Sequence, residues 1–216
     1  MKKVAIILSG CGVFDGAEIH ESVLTMLHLE MAGASYQCFA PNIDQHHVVN
    51  HLNGEEMDQK RNVLIEAARI ARGEIHDLET LNANDFDALA IPGGFGVAKN
   101  LSDFAFKGGE STILAALKTA CEAFNQQKKP IAYVCIAPAL VGHIHAKGIK
   151  ATIGNDADTA AAMSALGAEH INCAVDDIVI DEAQKVISTP AYMLAQSISE
   201  VSAGIQKAMN KLVELA

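Results

Sequence analysis

Cys135 lies in the stretch IAYVCIAPAL (131–140), between an apolar run and a proline-containing segment of helical composition. A thiol at such a strand-to-helix junction sits at a helix N-terminus. Unpaired N–H groups and the helix dipole there favour an anion and lower the thiol pKa. Pro138 suits a first helical turn, where no intrahelical donor is lost. The chemistry implied is nucleophilic attack, with an inert buried cysteine as the plainer alternative. A nucleophile that adds to a carbonyl needs donors for the developing oxyanion and a group that moves protons. The backbone of Pro92-Gly93-Gly94-Phe95-Gly96, which lacks bulky side chains at close approach, can supply such N–H donors together with Ile136. It has neither the Lys-Ser/Thr ending nor the G-x-G-x-x-G spacing of phosphate loops. Asp15, Glu18, His20 and Glu21 crowd the start of the first helix. A carboxylate of this group that reaches Cys135 is a general acid/base; an acid-rich, solvated helix start would read the same.

These residues must be positioned by the elements around them. Val4–Leu8 reads as a buried strand followed by the Gly-rich loop 9–16, and 18–32 as a helix with apolar residues at 19, 23, 24, 27 and 31, stopped by Gly33. Tyr36–Ala40, Phe86–Ile91 and Ile131–Val134 read as further strands. Residues 61–71, 111–126, 137–146 and 159–166 read as helices. Residues 178–180 and 186–189 form a hairpin or strand pair, and a long helix over 191–212, interrupted near Gly204, closes the chain. Alternating strands and helices predict one α/β domain over 1–216, an open, mostly parallel sheet with helices on both faces. Ligands bind such sheets beyond the carboxyl ends of the strands, where 9–18, 92–100 and 135–137 fall. The polar excursion 42–60 and the helix after it are expected to roof that site, so His51, Asn62, Arg69 and Asn100 are candidates to face a substrate.

Half of the chain is hydrophobic, but only 5% is aromatic and there is no Trp, so the core is built from Ala, Val, Ile and Leu. A net charge of −10 argues against nucleic acid or an anionic membrane surface as a partner. No apolar run reaches the ~18 residues of a membrane span, and a cytoplasmic protein is expected. Five scattered cysteines without a C-x-x-C pair predict neither a disulfide framework nor a zinc site. His46, His47 and His51 lack a matching carboxylate spacing, so no metal and no cofactor is expected.

Taken together, SGCGVFDGAEIHE, RNVLIEAARIARG, GGFGVAKNLS, AYVCIAPAL, TIGND, VDDIVID and TPAYMLAQ resemble the PfpI superfamily of class I glutamine amidotransferase-like proteins. More narrowly they resemble its ElbB type, the enhancing-lycopene-biosynthesis or glyoxalase proteins. The resemblance covers essentially the whole chain. It implies a flavodoxin-like three-layer sandwich, usually a homodimer. Cys135 would be the nucleophile on a strained elbow and Glu21 the carboxylate bonded to its sulfur. Gly94 and Ile136, next to Gly93, would give the oxyanion-hole N–H groups. Two departures stand out. Gly154 occupies the place of a family histidine, and no C-terminal H-x-E pair exists, so glutamine hydrolysis is not expected. The activity implied is a slow, glutathione-independent conversion of glyoxal, a small reactive dicarbonyl, to glycolate, with removal of glyoxal adducts from proteins as a related activity. The alternative is a redox or stress-response module in which Cys135 oxidises to sulfinic acid and Cys11 acts as resolving thiol, or an accessory role in isoprenoid biosynthesis.

Overall fold

The computed structural model describes residues 1–216. Its elements are β1 (Lys3–Ile7), α1 (Ile19–Met31), β2 (Ser35–Ala40), α2 (Val63–Ile70), β3 (Ile75–Asp77), β4 (Ala88–Ile91), α3 (Phe95–Lys99), α4 (Phe104–Lys107), α5 (Ala115–Gln126), β5 (Ile131–Val134), α6 (Val141–Ile144), β6 (Lys150–Ala151), α7 (Ala157–Ala165), β7 (Glu169–His170), β8 (Val179–Asp181), β9 (Val186–Thr189) and α8 (Ile198–Leu215). A seven-stranded sheet has the order β3-β2-β1-β4-β5-β9-β8, and every pairing is parallel except β8 with β9. This is the flavodoxin-like sandwich expected from the sequence. β6 and β7 form a separate two-stranded ribbon.

The side-chain period of two sorts each strand between the layers. Ala5, Ile7, Leu89, Ile91, Ile131 and Tyr133 pack with Leu117, Cys121 and Phe124 of α5. Val4, Ile6, Ala88, Ala90, Ala132 and Val134 pack on the other face with Leu29, Ala67, Ile205 and Leu212 of α1, α2 and α8. The small residues on this second face of β4 and β5 let α8 lie close. The strand order reverses its direction of growth between β1 and β4, and a crevice opens beyond the carboxyl ends of such strands.

Several sequence expectations are corrected. The helix expected over 137–146 is a tight turn, Ala137–Leu140, followed by one helical turn in α6. The closing helix begins at Ile198, not 191: the Ser197 hydroxyl accepts from Glu200 N, and Glu200 Oε2 accepts from Gln196 N. It runs unbroken through Gly204, where a Cβ would lie 2.6 Å from Thr189 Oγ1 and 2.7 Å from the Val175 carbonyl oxygen. The face of α1 is also not the one its apolar spacing suggests. Ile19, Val23, Leu27 and Met31 are 43, 48, 44 and 64% exposed, whereas Glu21, Ser22, Thr25, Met26, His28 and Leu29 are buried. Two of the polar groups on the inward face are bonded there: the Ser22 hydroxyl donates to the Glu18 carbonyl, and His28 Nε2 pairs with Ser202 Oγ of α8 at 2.9 Å, while Thr25 Oγ1 has no partner.

Candidate active site

Cys135 follows β5 with φ 63°, in the left-handed region that costs an L-residue about 1–2 kcal/mol. Its N–H donates to the Thr189 carbonyl of β9 at 2.9 Å, so the last rung of the sheet fixes the elbow. β9 ends in a second strained residue, Ala191, with φ 45°. Such strain persists only where the surroundings over-determine it. Here it turns the Tyr192 N–H onto Glu21 Oε1 at 3.2 Å. The Gly93 N–H, past the end of β4, holds the other oxygen, Oε2, at 3.0 Å. Glu21, from the first turn of α1, is fully buried between them and hydrogen-bonded to the Cys135 thiol.

Gly93 permits this closeness. A Cβ there would stand 2.5 Å from Cys135 Cβ and 2.6 Å from Glu21 Oε2. Gly94, at φ 97°, would drive a Cβ into the Gly16–Glu18 backbone. The N–H groups of Gly94 and Ile136 are directed at the Cys135 sulfur. Of the three N–H donors expected to serve an oxyanion, Gly93 is therefore committed to Glu21, which leaves Gly94 and Ile136.

The expectation of a depressed thiol pKa does not hold. Burial first, then the Glu21 carboxylate, push the Cys135 thiol well above its ordinary value, and the two N–H groups only partly offset this. The helix that was to stabilise a thiolate is a short turn. Burial, reinforced by Glu18, raises Glu21 to about 8. Two acids in one dry site cannot both ionise: at neutral pH the thiol keeps its proton and Glu21 is mostly protonated as well.

The site opens into a cavity of about 490 Å³ walled by Val13, Phe95, Ala98, Phe104, Ile136 and Met193, with Glu18, Asp156, Thr159 and Tyr192 as its other polar side chains besides Cys135. No lysine or arginine lines it. A larger groove of about 930 Å³ lies over α1, β2 and α2, away from Cys135. The four expected substrate contacts are not on the cavity walls. Asn100 Nδ2 donates to the carbonyls of Ser9 and Asp15 at 2.9 Å, and its Oδ1 accepts from His46 N, so it is a buried clamp. Asn62 caps α2 and bonds Asn42. His51 Nε2 accepts from Phe14 N, and its Nδ1 lies 3.0 Å from the Val49 carbonyl oxygen. Arg69 pairs with Glu66. The roof is built by α3, α4 and the start of α7, not by 42–60. At Gly154, Leu194 fills the space that a side chain would take. Tyr192 was not anticipated; the S-x-x-E cap at 197–200 was the signal that would have placed it outside the last helix.

No family model matches the chain. Curated proteins do. The chain is 42% identical to the human glutamine amidotransferase-like class 1 domain-containing protein 3, mitochondrial, over 99% of its own length and 83% of the relative's. It is 34% identical to the zebrafish ES1 protein, mitochondrial, over 88% of its length and 76% of the relative's. Among solved structures, an isoprenoid biosynthesis protein with amidotransferase-like domain from Ehrlichia chaffeensis superposes with a TM-score of 0.91 at 40% identity, over 100% of this chain and 99% of that one. Drosophila melanogaster DJ-1beta shares the fold at 17% identity and a TM-score of 0.57, over 100% and 95% of the two chains. With a relative this similar over nearly its whole length, the chain belongs to the ES1 family of glutamine amidotransferase-like class 1 proteins.

Proposed function

We propose that this protein is a glutathione-independent glyoxalase of the ElbB type that turns glyoxal into glycolate slowly. The observation that carries the reading is the buried Glu21–Cys135 pair, with the Gly94 and Ile136 N–H groups at the sulfur, open to a cavity without basic residues. An uncharged dicarbonyl needs no counter-ion there. In the reaction the Sγ–C1 bond forms, the C1=O1 pair moves to O1, and the thiol proton passes through Glu21 to O1. The Glu21 carboxylate then takes the C1 proton while O2 gains one, which gives an enediol. Glu21 returns its proton to C2, O1 releases its own, and a thioester remains. Water adds to the thioester carbonyl, the C–S bond breaks, and glycolate leaves with the thiol restored. Glyoxal adducts on protein amines would be drained by the same route.

The raised thiol pKa accounts for the slow turnover expected, because the nucleophile is scarce as thiolate at neutral pH. The test is glycolate release from glyoxal without glutathione by wild type, Cys135→Ser and Glu21→Gln. Both variants should be inactive; a wild type equal to Cys135→Ser refutes the reading. The same N–H groups would hold a sulfinate on Cys135, which is what supports the redox reading. In that case mild peroxide adds two oxygens to Cys135 in wild type but not in Glu21→Gln. Cys11, the resolving thiol of this reading, lies off the cavity wall near Glu66, Arg69, Asp15 and Arg61. A homodimer belongs to the proposal, and sedimentation equilibrium tests it. The cytoplasmic location is left open, since the human, rat and zebrafish relatives are mitochondrial proteins. No helix is long and apolar enough to cross a membrane.

A further inference from the structure

Isomerising a hydroxyaldehyde adduct takes two proton transfers, one between the carbons and one between the oxygens. Glu21 serves the carbons. A carboxylate clamped by two backbone N–H groups has no second proton for the oxygens. The polar side chains of the cavity wall narrow the choice. Glu18 is committed as the α1 cap, with Oε2 accepting from Glu21 N at 2.6 Å. Asp156 caps α7 and accepts from both the Thr159 N–H and the Thr159 hydroxyl. That leaves the Tyr192 hydroxyl, whose one partner is His20 Nδ1 at 2.8 Å. His20 is exposed, so this pair connects the dry cavity to water. The strained Ala191 sets Tyr192 here, and its N–H anchors Glu21 from the same residue.

We infer that Tyr192 is a catalytic residue that moves the proton between O1 and O2 of the substrate, and that His20 positions it. The inference rests on the aldehyde-isomerising reading above. As O2 develops negative charge, the O–H bond of Tyr192 breaks toward O2 and O1–H gives its proton to the Tyr192 oxygen, which His20 Nδ1 holds in place. The enediolate so left on O1 collapses to the thioester as Glu21 returns its proton to C2. Protons and charge balance, and no other reactant is needed. Tyr192 passes the proton without resting as phenolate, since burial and the nearby Glu18 and Glu21 raise its pKa.

Tyr192→Phe removes the hydroxyl and keeps the backbone N–H that holds Glu21. We expect its kcat for glycolate formation to fall about 100-fold, within the usual span of general acid–base catalysis, with KM and the rate of Cys135 alkylation by iodoacetamide near those of wild type. His20→Ala should lose about 10-fold in kcat, the smaller part of the same effect, and recover several-fold with added imidazole, which a packing role would not produce. His20 is exposed, so its variant reports even if Tyr192→Phe folds poorly. A Tyr192→Phe protein with wild-type kcat, or a His20→Ala protein indifferent to imidazole, overturns the inference while leaving the glyoxalase reading intact. A wild type that forms no glycolate overturns both.

Discussion

Glu21→Gln changes stability in a way that the geometry fixes in sign. Glu21 is fully buried and raised from 4.5 to about 8, so the native protein holds a proton that the unfolded chain releases between those values. Stability therefore falls as pH rises through that window. Linkage puts the loss at about 1 kcal/mol by pH 5, about 3 by pH 7 and about 4 by pH 8. Glutamine has no such term. It does have only one oxygen for the N–H groups of Gly93 and Tyr192, so one buried donor meets an amide NH2 at a cost of about 1–3 kcal/mol at every pH. The variant should thus be no more stable than wild type at pH 5, more stable at pH 8, and separated by a swing of about 3 kcal/mol between them. Cys135 does not titrate in this range, being held well above its ordinary value, and cancels in the comparison. Urea unfolding of both proteins at the three pH values measures the swing. Parallel stability curves would mean that Glu21 is ionised in the native state, and the account of a protonated, buried Glu21 would be wrong.

Glycolate formation should rise with pH and level off near 8, because only the Glu21 carboxylate can take the C1 proton; a rate independent of pH from 6 to 9 would assign that step elsewhere. Asn100→Ala should cost about 2–4 kcal/mol in urea by stranding buried backbone groups of Ser9, Asp15 and His46, yet leave KM for glyoxal within about twofold. A large KM change at full stability would return Asn100 to the substrate. Gly204→Ala should destabilise by about 1–3 kcal/mol although alanine favours helix by about 1 kcal/mol. The added methyl meets the Thr189 hydroxyl, itself bonded to the Asp177 carbonyl, and midpoint shifts in urea report the sign.

The central strands were legible because a buried parallel strand is a short aliphatic run with no competing pattern: VAII, ALAI, IAYV and VIST all fall where their composition puts them. The short elements α3 and α4 and the edge strand β3 were not, since three to five residues carry no period. The face of α1 was misjudged for a different reason. Its inward side carries Glu21 for the site and Ser22, Thr25 and His28 beside it, so the polar face is the buried one. Cys135 and Glu21 could be named from residue type and resemblance, but not the direction of their pKa values, which depends on how dry the site is. His51, Asn62 and Asn100 have ligand-like chemistry and are consumed by backbone partners that only the fold reveals.

The rung between Cys135 N and Thr189 O has a consequence for how guests leave. That amide lies in the interior of the seven-stranded sheet, so its deuterium exchange requires the sheet to come apart, and the elbow does not swing. Traffic must pass through side chains at the cavity mouth. Phe95, half exposed, and Met193, both unbranched at Cβ, can turn about their χ angles on the nanosecond scale without disturbing a strand. A small product such as glycolate then needs no moving lid, whereas a peptide carrying a glyoxal adduct has to present its side chain end-on, leaving its backbone outside.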